Sequence, residues 1–155
     1  MTANDPMVLC LNETKASVEA LDKKALSTKI LPAYAQYWNC CTAKNGYSGT
    51  AIFTKVRPVS VKFDFGTKQI DEGRSITMEF KKFVLVATYV PNAGEGLRRL
   101  DFRINEWDAE FHAYLKQLES KTGKPVILAG DLNVAHNEMD VYDTKGKEKV
   151  PGYTP

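Results

Sequence analysis

The feature that most constrains the fold of this chain is a long amphipathic pattern in its second half. Apolar side chains recur there at intervals of three or four residues, at Leu97, Leu100, Ile104, Trp107, Phe111, Leu115 and Leu118. This spacing matches an α-helical turn and predicts one long helix with a single buried face, ending near Gly123. The same pattern puts Arg98, Arg99 and Arg103 on its solvated face. Such a helix requires an apolar surface to cover.

Several short segments have the composition of strands that could form this surface. Residues 8–11 and 125–129 are continuous apolar runs and are predicted to be buried strands. Lys81 and Lys82 separate two further strands and predict a hairpin, and residues 17–27 have the composition of a shorter helix. The other predicted strands, rich in β-branched and aromatic residues, are 34–38, 50–55, 59–65, 75–80 and 83–89. The chain is therefore predicted to be a layered α/β (α+β) domain.

Composition excludes several classes of protein. A length of 155 residues and 43% hydrophobic composition fit one globular domain, and the apolar runs are too short to cross a membrane. Three cysteines do not form a disulfide framework, which favours a reducing compartment, and two histidines exclude a structural zinc site. The net charge of +2 means that a nucleic-acid partner would have to be held by a local patch and shaped loops.

Four polar residues share one position relative to the predicted strands. Glu13 follows the first apolar run, Tyr89 closes another strand, and Asp131 and Asn133 follow a third. If these strands align, the four side chains meet at one rim of the fold, where ligands commonly bind. Glu13 and Asp131 are hard oxygen donors that suit Mg²⁺ or Mn²⁺, and a tyrosine hydroxyl can donate to a phosphate oxygen.

Each of these residues also has a purely structural interpretation. A glutamate after a strand is usually a solvated turn residue, and Asp131 could cap a turn or a helix. Tyr89 could be an ordinary aromatic at a strand end, and His136 is interpreted as structural because no nucleophile is identified near it. None of these residues is specific alone, so the site prediction depends on their convergence.

Six motifs occur in a defined order along the chain. They are LNETK at 11–15, GYSG at 46–49, EGR at 72–74, YVPNAG at 89–94, GDLNVAH at 130–136 and GYTP at 152–155. Together they resemble the exonuclease III type of apurinic/apyrimidinic endonuclease, within the endonuclease/exonuclease/phosphatase superfamily. YVPNAG followed by GDLNVAH is the most specific part of this resemblance.

The resemblance implies a four-layer β-sandwich flanked by helices and a catalytic role for several residues. Glu13 falls on the family's metal ligand, with Mg²⁺ as the cofactor and Mn²⁺ as its substitute. Asp131 falls on the residue that activates or orients the attacking water, Asn133 on its partner, and Tyr89 on the tyrosine near the scissile phosphate. The DNA-binding positions implied by the resemblance are Gly46, Tyr47, Arg74, Asn92 and Arg99.

The implied reaction is hydrolysis of the backbone of double-stranded DNA 5′ to an abasic site. A 3′–5′ exonuclease or 3′-phosphodiesterase activity is a further possibility within the family, and a monomer in the nucleus is implied, with the mitochondrion or cytoplasm as other locations. An abasic site presents no base edge, so recognition is expected through backbone contacts and DNA deformability.

The sequence also departs from the family pattern. Residues 1–155 correspond to the central portion of the domain, without the family's first strand and without its C-terminal half and Ser-Asp-His motif. Impaired activity and incomplete folding are therefore expected of the chain alone. Glu95 stands where several animal relatives have an arginine that probes DNA.

Two alternatives to a DNA repair nuclease remain open. The first is a non-catalytic remnant that binds nucleic acid or a partner. The second, less favoured because of YVPNAG and GYSG, is a phosphatase or phosphodiesterase.

Overall fold

Two β-sheets face each other in the computed structural model, which describes residues 4–23, 29–66, 71–143, 145–146 and 149–153. In the first sheet β3 lies between β1 and β2, and in the second the order is β4-β5-β6-β7. β6 and β7 are parallel, whereas the other paired strands are antiparallel. The strands are β1 (Val8–Asn12), β2 (Ala35–Asn39), β3 (Thr50–Thr54), β4 (Ser60–Phe63), β5 (Ser75–Glu79), β6 (Val84–Tyr89) and β7 (Val126–Asp131).

The apolar residues form two cores, one on each face of the second sheet. The core between the sheets is made by residues such as Ile52 of β3, Met78 of β5 and Ala87 of β6. On the opposite face, Val84 and Val86 pack against the helix α2 (Ala109–Thr122). Successive residues of β6 therefore alternate between two buried surfaces, which is why the whole strand is buried.

The helices complete the layered α/β architecture that the sequence predicted. The short helix α1 (Val18–Lys23) follows β1, and residues 24–28 of the predicted helical stretch lie outside the described residues. The hairpin predicted at Lys81 and Lys82 is confirmed, since the backbone N–H of Phe80 donates to the carbonyl of Phe83 over 2.8 Å. No helix among the described residues combines the length and the apolar character needed to span a bilayer.

The prediction of one regular long helix is wrong in its first half. The chain forms a 3₁₀ turn at Glu95–Leu97 and a π-helical segment at Phe102–Asp108 before α2 begins. A π-helical turn is wider than an α-helical turn, so it shifts the phase of the side chains. Phe102 packs on the core in place of Ile104, which is 52% exposed.

The strand predicted to be buried at residues 125–129 is instead an edge strand. β7 pairs with β6 on one side and has no strand on its other side among the described residues. Ile127 and Leu128 are consequently 47% and 39% exposed. Apolar composition alone does not distinguish a central strand from an edge strand, because that difference depends on the neighbours.

We expect the exposed edge of β7 to cause aggregation of the purified chain. An unpaired apolar edge can pair with another copy, and a lysine at such an edge opposes this pairing. Leu128→Lys should raise the concentration at which aggregation begins by roughly tenfold or more, measured by static light scattering. The control is Val59→Lys, which adds the same charge at another exposed apolar residue. An equal effect of both substitutions would show that net charge, rather than the β7 edge, controls aggregation.

Candidate active site

Three polar side chains lie side by side at one end of the second sheet. Tyr89 is the register partner of Asp131 across the parallel β6–β7 pair. On its other side, the backbone N–H of Tyr89 donates to the carbonyl of Arg74 over 2.8 Å. Arg74 precedes β5 and has the same parity as Ile76 and Met78, which face the first sheet. Arg74, Tyr89 and Asp131 therefore form a row at the rim of the space between the sheets.

Glu13 reaches this row from the first sheet. β1 ends at Asn12, and Glu13 has a left-handed backbone with φ of 49°, which breaks the alternation of the strand. The Glu13 carboxylate lies near the Tyr89 hydroxyl, close enough for its charge and hydrogen bonding to raise the pKa of that phenol. Glu13 is 44% exposed and also forms an ion pair of 3.2 Å with Lys15. The predicted meeting of Glu13 and Tyr89 at one rim is thus present in the structure.

Asn133 connects Asp131 to the rest of the site. Its backbone N–H donates to Oδ1 of Asp131 over 2.8 Å, and its side-chain Nδ2 donates to the carbonyl of Val90 over 2.8 Å. The Asn133 amide also donates to the Tyr89 hydroxyl. Asn92 donates to Oδ1 of Asn133 over 3.3 Å. These bonds orient the Asp131 carboxylate, which is itself exposed to solvent.

Gly130 explains how Asp131 comes so close to β6. Its φ is 143°, and a Cβ atom at this position would lie 1.9 Å from the carbonyl oxygen of Thr88. Only glycine allows the two backbones to approach in this way. The glycine of the GDLN motif is therefore required for the placement of the aspartate that follows it.

Arg74 lies behind the site, although the resemblance implied a DNA-binding position. Its side chain is 1% exposed, and its guanidinium donates to Glu72 over 2.5 Å, to the Tyr47 hydroxyl over 2.9 Å and to the Tyr89 carbonyl over 3.1 Å. The guanidinium also lies 4.9 Å from the centre of the Tyr89 ring. In this conformation Arg74 supports Tyr47 and Tyr89, and any effect on DNA is exerted through them.

The other predicted DNA-binding residues lie nearer the surface. Gly46 is exposed and Tyr47 is half-buried, with its hydroxyl 3.4 Å from Nη1 of Arg99. Nη2 of Arg99 lies 3.7 Å from Glu72, so Glu72 contacts both guanidinium groups. Asn92 is linked to the loop after β7 through Asn133, as described above. The structure thus brings all of the predicted site residues to one end of the two sheets.

The Tyr89 phenol is held in its protonated form. Burial raises the pKa of Tyr89 above its ordinary value of 10.0, and the charge and hydrogen bond of Glu13 raise this pKa further. The Arg74 charge and the hydrogen bond from Asn133 act in the opposite direction but do not reverse the shift. Tyr89 is consequently a neutral hydrogen-bond donor near neutral pH.

The oxygen donors at this rim suit a hard divalent cation. Among the described residues, no three His, Cys, Asp or Glu side chains form a group that could hold a metal by themselves. Mg²⁺ does not need such a group, because it keeps several waters and binds through one or two carboxylates and a substrate phosphate. Glu13 offers an accessible carboxylate, and the neighbouring Asn12 has a buried side-chain oxygen without a hydrogen-bond partner in the described structure. These donors fit Mg²⁺ or Mn²⁺.

Sequence reasoning missed two charged residues of this region. Glu72 was noted only as a motif letter, yet it pairs with both Arg74 and Arg99. Arg103 was assigned to a solvated helix face, but its side chain is 11% exposed and contacts the loop that contains Asn133. His112 and His136 are both exposed, and no contact places either of them at the rim. The signal that could have identified Glu72 is its place in the EGR motif, two residues before Arg74.

The shifted titration of Tyr89 provides a direct test of the geometry. Glu13→Gln removes the carboxylate charge, so we expect the pKa of Tyr89 to fall toward its ordinary value. The measurement is a pH titration by nuclear magnetic resonance of the tyrosine ring carbons, with Tyr89→Phe assigning the signal. Since the folded chain holds this proton more tightly than the unfolded chain does, stability should also fall as the pH rises above the ordinary tyrosine pKa.

The control for this titration is Glu119→Gln, which removes an exposed carboxylate from α2. It should leave the pKa of Tyr89 unchanged. An unchanged pKa in Glu13→Gln as well would mean that the Glu13 carboxylate is not at the Tyr89 hydroxyl.

Comparisons with known proteins agree with this architecture. The chain is 46% identical over 153 residues to the DNA repair nuclease APEX1 of Danio rerio and 43% identical over 152 residues to a DNA-(apurinic or apyrimidinic site) endonuclease of Dictyostelium discoideum. Each alignment covers 97% of this chain but 47% and 40% of the respective relative. The chain therefore spans less than half the length of these two proteins.

A solved structure has the same arrangement. The AP endonuclease LMAP from Leishmania major superimposes with a TM-score of 0.84 at 31% identity, over 98% of this chain and 54% of that one. An AP endonuclease from Archaeoglobus fulgidus gives a TM-score of 0.75 at 22% identity, covering 96% of this chain and 55% of that one, which shows the fold alone. A sequence model of the Endonuclease/Exonuclease/phosphatase family matches residues 1–154. On this match, and with the two-sheet fold and polar rim described above, the chain belongs to the endonuclease/exonuclease/phosphatase family.

Proposed function

We propose that this protein is a metal-dependent DNA repair nuclease that hydrolyses the DNA backbone 5′ to abasic sites. The observation that carries the proposal is the convergence of Glu13, Tyr89, Asp131 and Asn133, from both sheets, on one accessible rim. The relatives named as a DNA repair nuclease and as an apurinic or apyrimidinic site endonuclease support the substrate class. The proposed substrate is double-stranded DNA, bound by a monomer in the nucleus, with the mitochondrion or cytoplasm as other locations.

Each residue of the rim has a defined task in this reaction. Asp131 accepts the proton of the attacking water while the water oxygen forms a bond to phosphorus. The bond between phosphorus and the 3′ oxygen then breaks, and that oxygen takes a proton from solvent. Asn133 fixes the Asp131 carboxylate through its backbone N–H, and the neutral Tyr89 hydroxyl donates to a phosphate oxygen as charge develops.

Glu13 would hold the divalent cation, with Mg²⁺ as the preferred ion and Mn²⁺ as its substitute. When bound, the cation neutralises phosphate charge and stabilises the developing negative charge. The Glu13 carboxylate is accessible and lies at the Tyr89 hydroxyl, so a phosphate held there would also be within reach of the tyrosine donor.

DNA would be held around this rim by the surface residues predicted for that purpose. Gly46 and Tyr47 present an accessible loop, and Arg99 places positive charge beside the Tyr47 hydroxyl. Asn92 is available at the edge of the catalytic loop to contact a phosphate. Arg74 acts as a positioning residue, because its buried guanidinium holds Tyr47 from below. Such contacts recognise backbone shape and flexibility, which suits a site that lacks a base.

Binding of nucleic acid without cleavage is the second candidate function. The observation that favours it is that Tyr47, Arg99 and Asn92 lie around the rim, where they can contact a DNA backbone without a metal. The two candidates differ in one measurable respect. A nuclease cuts abasic duplex in a manner that depends on Mg²⁺, whereas a binding protein retains the duplex intact.

The decisive experiment is single-turnover incision of an abasic-site duplex with the protein in excess. Because impaired activity is expected of residues 1–155 alone, the protein used is a version extended to the length of the relatives. In Asp131→Asn the water loses its proton acceptor while the side-chain volume hardly changes, so we expect a rate at least about 10²-fold lower with DNA affinity largely retained. Asp22→Asn, at an exposed position of α1, is the matched control and should cleave normally. Equal incision by Asp131→Asn and the unsubstituted protein would refute the role of Asp131. Intact DNA with the unsubstituted protein would support the binding candidate.

The metal role of Glu13 has a separate signature. Glu13→Gln should raise the Mg²⁺ concentration that gives half-maximal incision by roughly tenfold or more, because a carboxylate ligand is replaced by a neutral amide. The measurement is the incision rate across a Mg²⁺ titration at constant ionic strength, with Glu119→Gln as the control. A Mg²⁺ dependence identical to that of the control would contradict the assignment.

A further inference from the structure

Arg103 was predicted to lie on the solvated face of a helix, but its side chain is only 11% exposed. It lies in the π-helical segment, and its guanidinium turns inward to backbone carbonyl groups. Nη2 donates to the carbonyl of Leu132 over 2.9 Å, and Nη1 donates to the carbonyl of Pro91 over 2.9 Å and to that of Asn133 over 3.4 Å. One side chain therefore joins the turn after β6 to the loop after β7.

The loop after β7 depends on such a link. β7 is an edge strand in the described structure, so no further strand supports the loop from its outer side. Asn133 also has a left-handed backbone with φ of 48°, a conformation that local bonds must maintain. Arg103 holds the carbonyl of the Leu132–Asn133 peptide and the carbonyl of the peptide that follows it. Because a peptide group is planar, this fixes the orientation of the Asn133 N–H that contacts Asp131.

The π-helical segment is what points Arg103 in this direction. Nε of Arg103 donates to Oδ1 of Asp108 over 2.9 Å, across a separation of five residues. In an α-helix, residues five apart point in directions about 140° different, so this pair could not form. The wider π turn brings them to the same side. Asp108 thus orients Arg103, and four of the five N–H donors of the guanidinium have an acceptor in the described structure.

We propose that Arg103, held by Asp108, is a positioning residue that keeps Asp131 and Asn133 in the geometry needed for cleavage. Its consequence for catalysis rests on the proposed function, whereas its effect on the loop does not. Arg103 is assigned to positioning rather than to contact with the reacting atoms, because its side chain is 11% exposed and four of its five donors are directed at backbone carbonyls and at Asp108.

The first test measures the loop itself in the full chain. Arg103→Ala should accelerate amide hydrogen exchange of Asn133 by about tenfold or more, since several charge-assisted bonds are lost, while exchange in α2 remains unchanged. Arg103→Lys should behave in the same way, because a lysine has the charge but not the planar fork of donors. Arg98→Ala removes an exposed arginine from the same region and should leave Asn133 unaffected.

Asp108→Asn provides a milder variant in case Arg103→Ala does not fold. It keeps the side-chain volume, weakens the contact that orients Arg103, and should change Asn133 exchange in the same direction by a smaller factor. Unchanged Asn133 exchange in folded Arg103→Ala, or in Asp108→Asn if only that variant folds, overturns the proposal.

The second test separates positioning from binding. In single-turnover incision, Arg103→Ala should reduce the cleavage rate by about 10²-fold with DNA affinity equal to that of Arg98→Ala. Guanidinium chloride at millimolar concentration should partly restore the rate in Arg103→Ala and not in Asp131→Asn, with sodium chloride as the ionic-strength control. A normal cleavage rate in Arg103→Ala would overturn the catalytic part of the proposal. Faster Asn133 exchange with no incision by any protein, including the unsubstituted one, would support the loop role and count against the proposed function.

Discussion

The buried positive charge of Arg74 is the constraint on which the rest of the site depends. A buried guanidinium is costly unless it is paired and hydrogen-bonded, and here each of its three nitrogens donates to a partner, namely Glu72, the Tyr47 hydroxyl or the Tyr89 carbonyl. Its backbone is fixed as well, because Asp64 accepts hydrogen bonds from the N–H groups of Arg74 and the following residue over 3.0 and 3.1 Å. Satisfying this one charge brings the GYSG loop, the EGR turn and the end of β6 together, and the polar rim is built on them.

The second constraint is the parallel pairing of β6 with β7. Parallel strands end at the same edge of a sheet, so Tyr89 and Asp131 become neighbours although they are 42 positions apart in the sequence (131 minus 89). Asn92 and Asn133, which are 41 positions apart, meet for the same reason. The connection between these strands must cross the face of the sheet, and the π-helical segment and α2 make that crossing. The same connection carries Arg103 to the loop after β7, which ties the helical layer to the chemistry of the rim.

The site combines rigid and accessible parts. Tyr89 and Arg74 are buried and held by several partners, whereas Glu13 and Asp131 are open to solvent at the ends of β1 and β7. This division suits hydrolysis of a phosphodiester, because the donor that stabilises charge is pre-oriented while the carboxylates remain accessible to water and to a cation. The exposed edge of β7 lies beside the same rim, so an open part of the fold adjoins the candidate active site.

The sequence by itself determined the strands, the hairpin, the layered class and the four rim residues, because alternation, turn composition and motifs such as YVPNAG and GDLN act locally. Tertiary structure decided the rest. The 3.6-residue pattern predicted that Arg103 lies in solvent. The spacing of the apolar residues does not predict the π-helical segment that directs this side chain inward. The resemblance implied a DNA-binding position for Arg74, yet its neighbours bury its side chain. The run before Asp131 looked like a central strand and is an edge. In each case the local pattern specifies which side chains are apolar or charged, whereas burial and direction depend on which other segments pack against them.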